Sequence, residues 1–200
     1  YRNQGMIRAL MQEIEKDYGE KTDGFYLFAN DQVLDFYPRF GFRMEKETGY
    51  SKAVRNNGEQ RAVPVSVAQE EKRIAEAVRT GVCHGAFDMV QNVGLIMFYL
   101  TKYMRNSVYY IGDDRAYVIA DIEDGRLFLH QVIAQESVDT DRIVQAFGRK
   151  IHHVTFGFTP SDRYGCEKNE VREDDTVLFC KGRAFNGWKG EGRFPSLSHA

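Results

Sequence analysis

Cysteine is scarce in this chain: Cys83, Cys166 and Cys180 are odd in number and widely spaced, with no C-x-x-C pair. That argues against a disulfide framework and fits reduced thiols in a cytoplasmic protein. Long apolar runs are missing too. Leu95 to Leu100 is far short of the roughly 20 residues that a membrane-spanning helix needs. Neither sign of charge dominates: 27 Lys and Arg face 29 Asp and Glu, for a formal net charge of −2. With no Lys/Arg run, the chain has no general attraction to nucleic acid or to an anionic membrane. No signal peptide is visible from Tyr1 onward.

Several catalytic signatures are also absent. His84, His130, His152, His153 and His199 form no H-x-x-x-H or H-x-x-E-H pattern, so no metal site is expected. His152 and His153 are adjacent, and neighbouring residues on a strand point to opposite faces. There is no G-x-S-x-G elbow and no Walker loop. What remains is an ordinary globular composition, 42% hydrophobic and 28% charged, in 200 residues that hold one domain or two small ones.

The informative stretch is at the front. Arg2, Asn3, Gln4 and Gly5 lead into Met6, Ile7, Leu10, Met11 and Ile14, whose spacing is that of a one-faced helix. A glycine at the mouth of a helix lets another group approach the backbone. The first amides have no intrahelical partner and carry the positive end of the dipole. Those features suit a phosphate, with Arg2 as counter-charge, although a glycine before a helix also serves as a plain turn. Residues 24 to 29 read as a short buried strand rich in aromatics. Asn30-Asp31 can cap a helix whose apolar face is Val33, Leu34 and Tyr37, and the segment closes on Phe40-Gly41-Phe42.

Together these two stretches resemble the GNAT superfamily of acetyl-CoA-dependent N-acyltransferases. Arg2-Asn3-Gln4-Gly5-Met6-Ile7 is similar to its Arg/Gln-x-x-Gly-x-Gly/Ala pyrophosphate loop in all but the last position. Asn30 and Tyr37 to Phe42 are similar to its strand, Asn, helix, Tyr-x-x-x-Gly-Phe segment. The resemblance covers about residues 1 to 54. It implies acetyl-CoA held by Arg2, Asn3, Gln4, Gly5, Met6, Ile7 and Asn30, with Tyr37 as the general acid. A phenol keeps its proton at neutral pH and can give it to a departing thiolate. Ile7 departs from the pattern, standing where the family has a small residue. The family places four strands and two helices before this loop, so the chain is expected to be the C-terminal part of a longer protein.

The expected architecture is α+β: a GNAT-like mixed sheet flanked by helices, truncated at its N-terminus, followed by a second GNAT-like unit. The domains expected are 1–54, a linker at 55–67 marked by Asn57-Gly58, and 68–200. After Phe42, Arg43 to Val54 reads as one return strand. Helices are expected over 68–80, 87–105 and from Asp139 or Thr140 to Lys150. Strands are expected over 108–111, 116–122 and 127–134 as a meander, turned at Asp124-Gly125, and over 153–159 and 176–181. Gln135 to Val138 lacks glycine, so no second CoA site is expected. The C-terminus carries Phe194 and Leu197 beside Pro195, more than a trailing tail holds, and is expected to dock.

The functional expectation is direct acyl transfer from acetyl-CoA to an amine, on a small molecule or a peptide. Two alternatives stand beside it: a non-catalytic CoA-binding or ligand-sensing module, and a structural interaction domain. No nucleic-acid or membrane partner is expected, and self-association is left open.

Overall fold

The computed structural model describes residues 5–199. In chain order the principal elements are α1 (Met6–Tyr18), β1 (Phe25–Ala29), β2 (Arg43–Met44), β3 (Thr48–Ala53), β4 (Val63–Pro64) and α2 (Val67–Thr80). There follow β5 (Gly85–Phe87), α3 (Val93–Lys102), β6 (Val108–Ile111), β7 (Ala116–Glu123), β8 (Arg126–Ile133) and α4 (Thr140–Gln145). The chain closes with β9 (His153–Phe156), β10 (Thr159–Pro160), β11 (Glu167–Glu170) and β12 (Val177–Lys181). Among the described residues no helix is long and apolar enough to cross a membrane.

Two compact units emerge, and they are not the contiguous blocks expected from the sequence. One takes residues up to Lys46 together with Arg172–Glu191; the other takes Glu47–Val171 with the segment from Gly192 on. The expected return strand over 43–54 is divided accordingly. β2 pairs with β12 in a three-stranded sheet of order β1-β12-β2, whereas β3 pairs with β9 and β11 in a separate sheet. The stretch 55–67 is not a free linker. The buried Asn56 side chain donates to the carbonyls of Val144 and Gln145 at 3.0 and 3.1 Å, and β4 pairs with β6.

In the first unit, β12 lies between β1 and β2, antiparallel to both. Ala29, Phe42 and Phe179 are buried at its core, with Met11, Leu34 and Tyr37 packed against them. The apolar stripe of α1 behaves differently from expectation. Met6, Ile7, Leu10 and Ile14 are exposed, and Met11 is the stripe residue that reaches the core. The segment after β1 is not an α-helix either. It makes two 3-10 turns, Asp31–Val33 and Tyr37–Phe40. Pro38 has no amide to give to the Leu34 carbonyl, so an α-helix running through it would lose that bond.

The second unit is built on a seven-stranded sheet of order β11-β3-β9-β8-β7-β6-β4, antiparallel except for the parallel pair β8–β9. Alternate residues serve opposite faces, as the pleat requires. Tyr117, Ile119 and Ile133 join Ile74, Val78, Ile96 and Leu100 of α2 and α3, while Val118, Ala120 and Val132 join Ile143 and Val144 of α4. Both faces are covered, which is why these strands read as continuous apolar runs. Asp124 and Gly125, at φ 47° and 73°, make the tight turn between β7 and β8 that their sequence signals.

Two helices are shorter than their sequence patterns predict. Asp88 is anchored to the His84 and Met89 amides and to Gln131 Nε2, so α3 starts only at Val93, where the Asn92 side chain accepts from the Leu95 amide. The Ala146 carbonyl is taken by the amides of Arg61 and Ala62, and Gly148 turns the chain at φ 83°; α4 therefore ends at Gln145.

Candidate functional site

The site residues read from the sequence lie in the first unit, and the structure places them unevenly. Arg2, Asn3 and Gln4 lie outside the described residues. Gly5 is left-handed at φ 71° and ψ 5°, a conformation that favours glycine, and it sits at the mouth of α1. Its carbonyl accepts the first helical bond, from the Ala9 amide at 3.1 Å. The amides of Met6, Ile7 and Arg8 precede that bond and have no place in the helical ladder. Among the described residues no side chain caps this end, and the first turn holds no acidic residue. The described residues therefore leave the positive end of the helix dipole without a counter-charge. A Cβ built on Gly5 meets nothing within 4 Å, so backbone conformation rather than crowding selects glycine here.

Asn30 ends β1 in an extended conformation, and its Oδ1 accepts from the Gln32 amide at 2.9 Å. This closes the turn and leaves the carboxamide nitrogen to donate elsewhere. Seven residues on, Tyr37 opens the second 3-10 turn. Its half-buried ring meets Phe36 edge-on at 5.4 Å, Phe42 at 6.2 Å and Phe179 at 5.6 Å between centroids. Gly41 ends the turn at φ 80°, directing Phe42 back under Tyr37. The Tyr-x-x-x-Gly-Phe spacing is thus a local closure: tyrosine and phenylalanine meet because a left-handed glycine stands between them.

One residue that sequence reading passed over is Lys181. Its ammonium lies 5.8 Å from the centroid of the Phe42 ring and pairs with Glu15 of α1. It thereby ties the helix that carries Gly5 to the strand beside Tyr37. No motif announces it, because the pairing joins residues 166 positions apart. Among the described residues no group of three or more His, Cys, Asp or Glu side chains is placed to hold a metal ion.

No family model and no curated protein matches the sequence. Solved structures do match. A probable N-acyltransferase from Enterococcus faecalis is 15% identical, covering 91% of this chain and 51% of its own, with a TM-score of 0.50. A GCN5-related N-acetyltransferase from Kribbella flavida is 18% identical, covering 92% of this chain and 50% of its own, also with a TM-score of 0.50. The chain thus spans about half the length of either. At these identities the likeness is one of fold. By its mixed seven-stranded sheet, its helices and this likeness, the chain has the fold of the GNAT, or GCN5-related N-acetyltransferase, superfamily.

Proposed function

We propose that the protein transfers an acyl group from acetyl-CoA to an amine on a small molecule or a peptide. The observation that carries this reading is left-handed Gly5 before the first amides of α1, with no acidic residue in that first turn. The names of the two solved relatives, an acyltransferase and an acetyltransferase, support it.

The residues present fit the cosubstrate. The first amides of α1 suit phosphate oxygens, and Arg2 adds a positive charge to the same loop. The Asn30 carboxamide can orient the CoA arm. Acetyl-CoA supplies, when bound, an acyl carbon activated by its thioester. Tyr37 holds a proton at its phenolic oxygen for the departing sulfur. The amine attacks as its neutral form. The second unit has no glycine loop before α4, and we assign it no CoA site of its own. Free cysteines throughout the chain suit the reduced cytoplasm.

The test is release of free thiol from acetyl-CoA across a panel of primary amines, followed beside a thermal-shift titration with CoA. Thiol release that depends on an added amine supports the reading. A CoA-induced rise in melting temperature with no thiol release for any amine would make the protein a binding or sensing module. No response to CoA in either measurement would remove CoA altogether.

A further inference from the structure

In the second unit, three side chains that no sequence motif links stand in a hydrogen-bonded row. Ser196 Oγ is 3.0 Å from His130 Nδ1, and His130 Nε2 is 3.0 Å from Asp121 Oδ2. The row continues: Ser107 Oγ donates to Asp121 Oδ1 at 2.6 Å. The chemistry of these groups sets the direction of the bonds. A carboxylate only accepts, so the imidazole proton belongs on Nε2, toward Asp121. Nδ1 is then left with its lone pair aimed at the Ser196 hydroxyl, which donates to it. Ser196 is thus a hydroxyl in contact with a base that a carboxylate orients. That is the arrangement that activates a nucleophile, and it recurs on unrelated folds, recognised by geometry rather than by order in the chain.

The backbone is shaped around this row. Ile119 pairs with Gln131 and Ala120 with Leu129, so His130 is the extra residue of a β-bulge in β8. Bulges re-aim a side chain and collect beside active sites. The imidazole is held in place on its flank by Phe128, with ring centroids 4.5 Å apart, and the Arg193 guanidinium lies over that phenyl ring. Ser196 is fixed by its amide, which donates to the Gly157 carbonyl at 2.6 Å. Gly157 leaves room for the hydroxyl, since a Cβ there would stand 2.7 Å from Ser196 Oγ. The row is open at the surface: Ser196 is half-buried, and the Asp121 side chain is 58% exposed.

We propose that Ser196, His130 and Asp121 form a second reactive site, in which Ser196 takes the acyl group of an activated ester or thioester. The Ser196 hydroxyl passes its proton to His130 Nδ1 as the bond from Oγ to the acyl carbon forms. The bond from that carbon to the leaving oxygen or sulfur then breaks, and the imidazolium returns the proton to it. Water deprotonated by the same nitrogen releases the carboxylic acid and restores Ser196. His130 is the general base and Asp121 its positioning residue. The site stands independently of the acetyl-CoA reading, sharing no residue with it.

The experiment is covalent labelling of the purified protein with diisopropyl fluorophosphate, which forms an Oγ–P bond and expels fluoride, with the modified peptide identified by mass spectrometry. Hydrolysis of p-nitrophenyl acetate is followed in parallel. Label on Ser196, together with loss of ester hydrolysis in Ser196→Ala, supports the site. His130→Gln and Asp121→Asn should each slow labelling by about 100-fold or more, the range of lost base catalysis and of a misplaced imidazole proton. Asp121→Asn changes an exposed side chain, so its melting temperature should match the parent's and separate reactivity from folding. An unlabelled Ser196 in the parent, or labelling at the parent rate in both variants, would overturn the proposal and leave the row a clamp on the chain end.

Discussion

Replacing Tyr37 separates its chemistry from its packing. The ring sits against Phe36, Phe42 and Phe179, so Tyr37→Phe keeps every ring contact and removes one hydroxyl from a half-buried position. Stability should change by no more than about 0.5 kcal/mol, as for a substitution that opens no cavity. Tyr37→Ala removes the ring itself. Deleting a fully buried phenyl group costs about 3–5 kcal/mol, and a half-buried ring should lose roughly half of that, about 2 kcal/mol. Turnover follows a different order. If the phenol protonates the departing sulfur, both variants lose general acid catalysis, about 10²- to 10⁴-fold, which is about 3–5 kcal/mol in the barrier. The assay is thiol release from acetyl-CoA at saturating amine, in single-turnover mode so that product release does not mask chemistry, beside urea denaturation of each variant. Tyr37→Phe should then be stable and slow, and Tyr37→Ala unstable and slow. A Tyr37→Phe protein with parental single-turnover rate would refute the acid role and leave Tyr37 as an aromatic wedge.

Gly5→Val places a β-branched residue at φ 71° and a side chain over the open end of α1, so the CoA-induced rise in melting temperature should disappear while the apoprotein melts within a few degrees of the parent; an undiminished rise would take the loop out of the site. Leu197 is 2% exposed in the core shared with α2 and α3, and Leu197→Ala should cost about 2–5 kcal/mol by urea denaturation. An unchanged midpoint there would mean that the chain end is not docked. His84 is buried, and burial holds its imidazole below the ordinary value of 6.5 despite the opposing Ala134 carbonyl and Asp88 charge. A group whose folded pKa is depressed contributes stability above its unfolded pKa and loses it as pH falls, so the melting temperature should drop below about pH 6.5. His84→Gln should flatten that drop, and an equal drop in parent and variant would assign it to other groups.

Local chemistry was enough for much of this protein. The spacing of Met6, Ile7, Leu10, Met11 and Ile14 marks α1 as a helix, although of the five Met11 alone reaches the core, and Asp124-Gly125 joins β7 to β8 because both residues accept positive φ. Phe194 and Leu197 marked the docked chain end, where both are buried. The order of Gly5, Asn30, Tyr37 and Gly41-Phe42 carries the resemblance to the GNAT fold in the sequence itself. Tertiary structure decided which sheet each strand joins. β3 and β12 are ordinary short strands, and nothing in six or five residues says that one pairs with β9 and the other with β1. Partners far along the chain make that choice, through registers such as Phe25 with Lys181. The same holds for the row of Ser196, His130 and Asp121. A bulge of one residue in β8 and a chain end returning beside Gly157 bring them together, and neither leaves a periodicity that a sequence can carry.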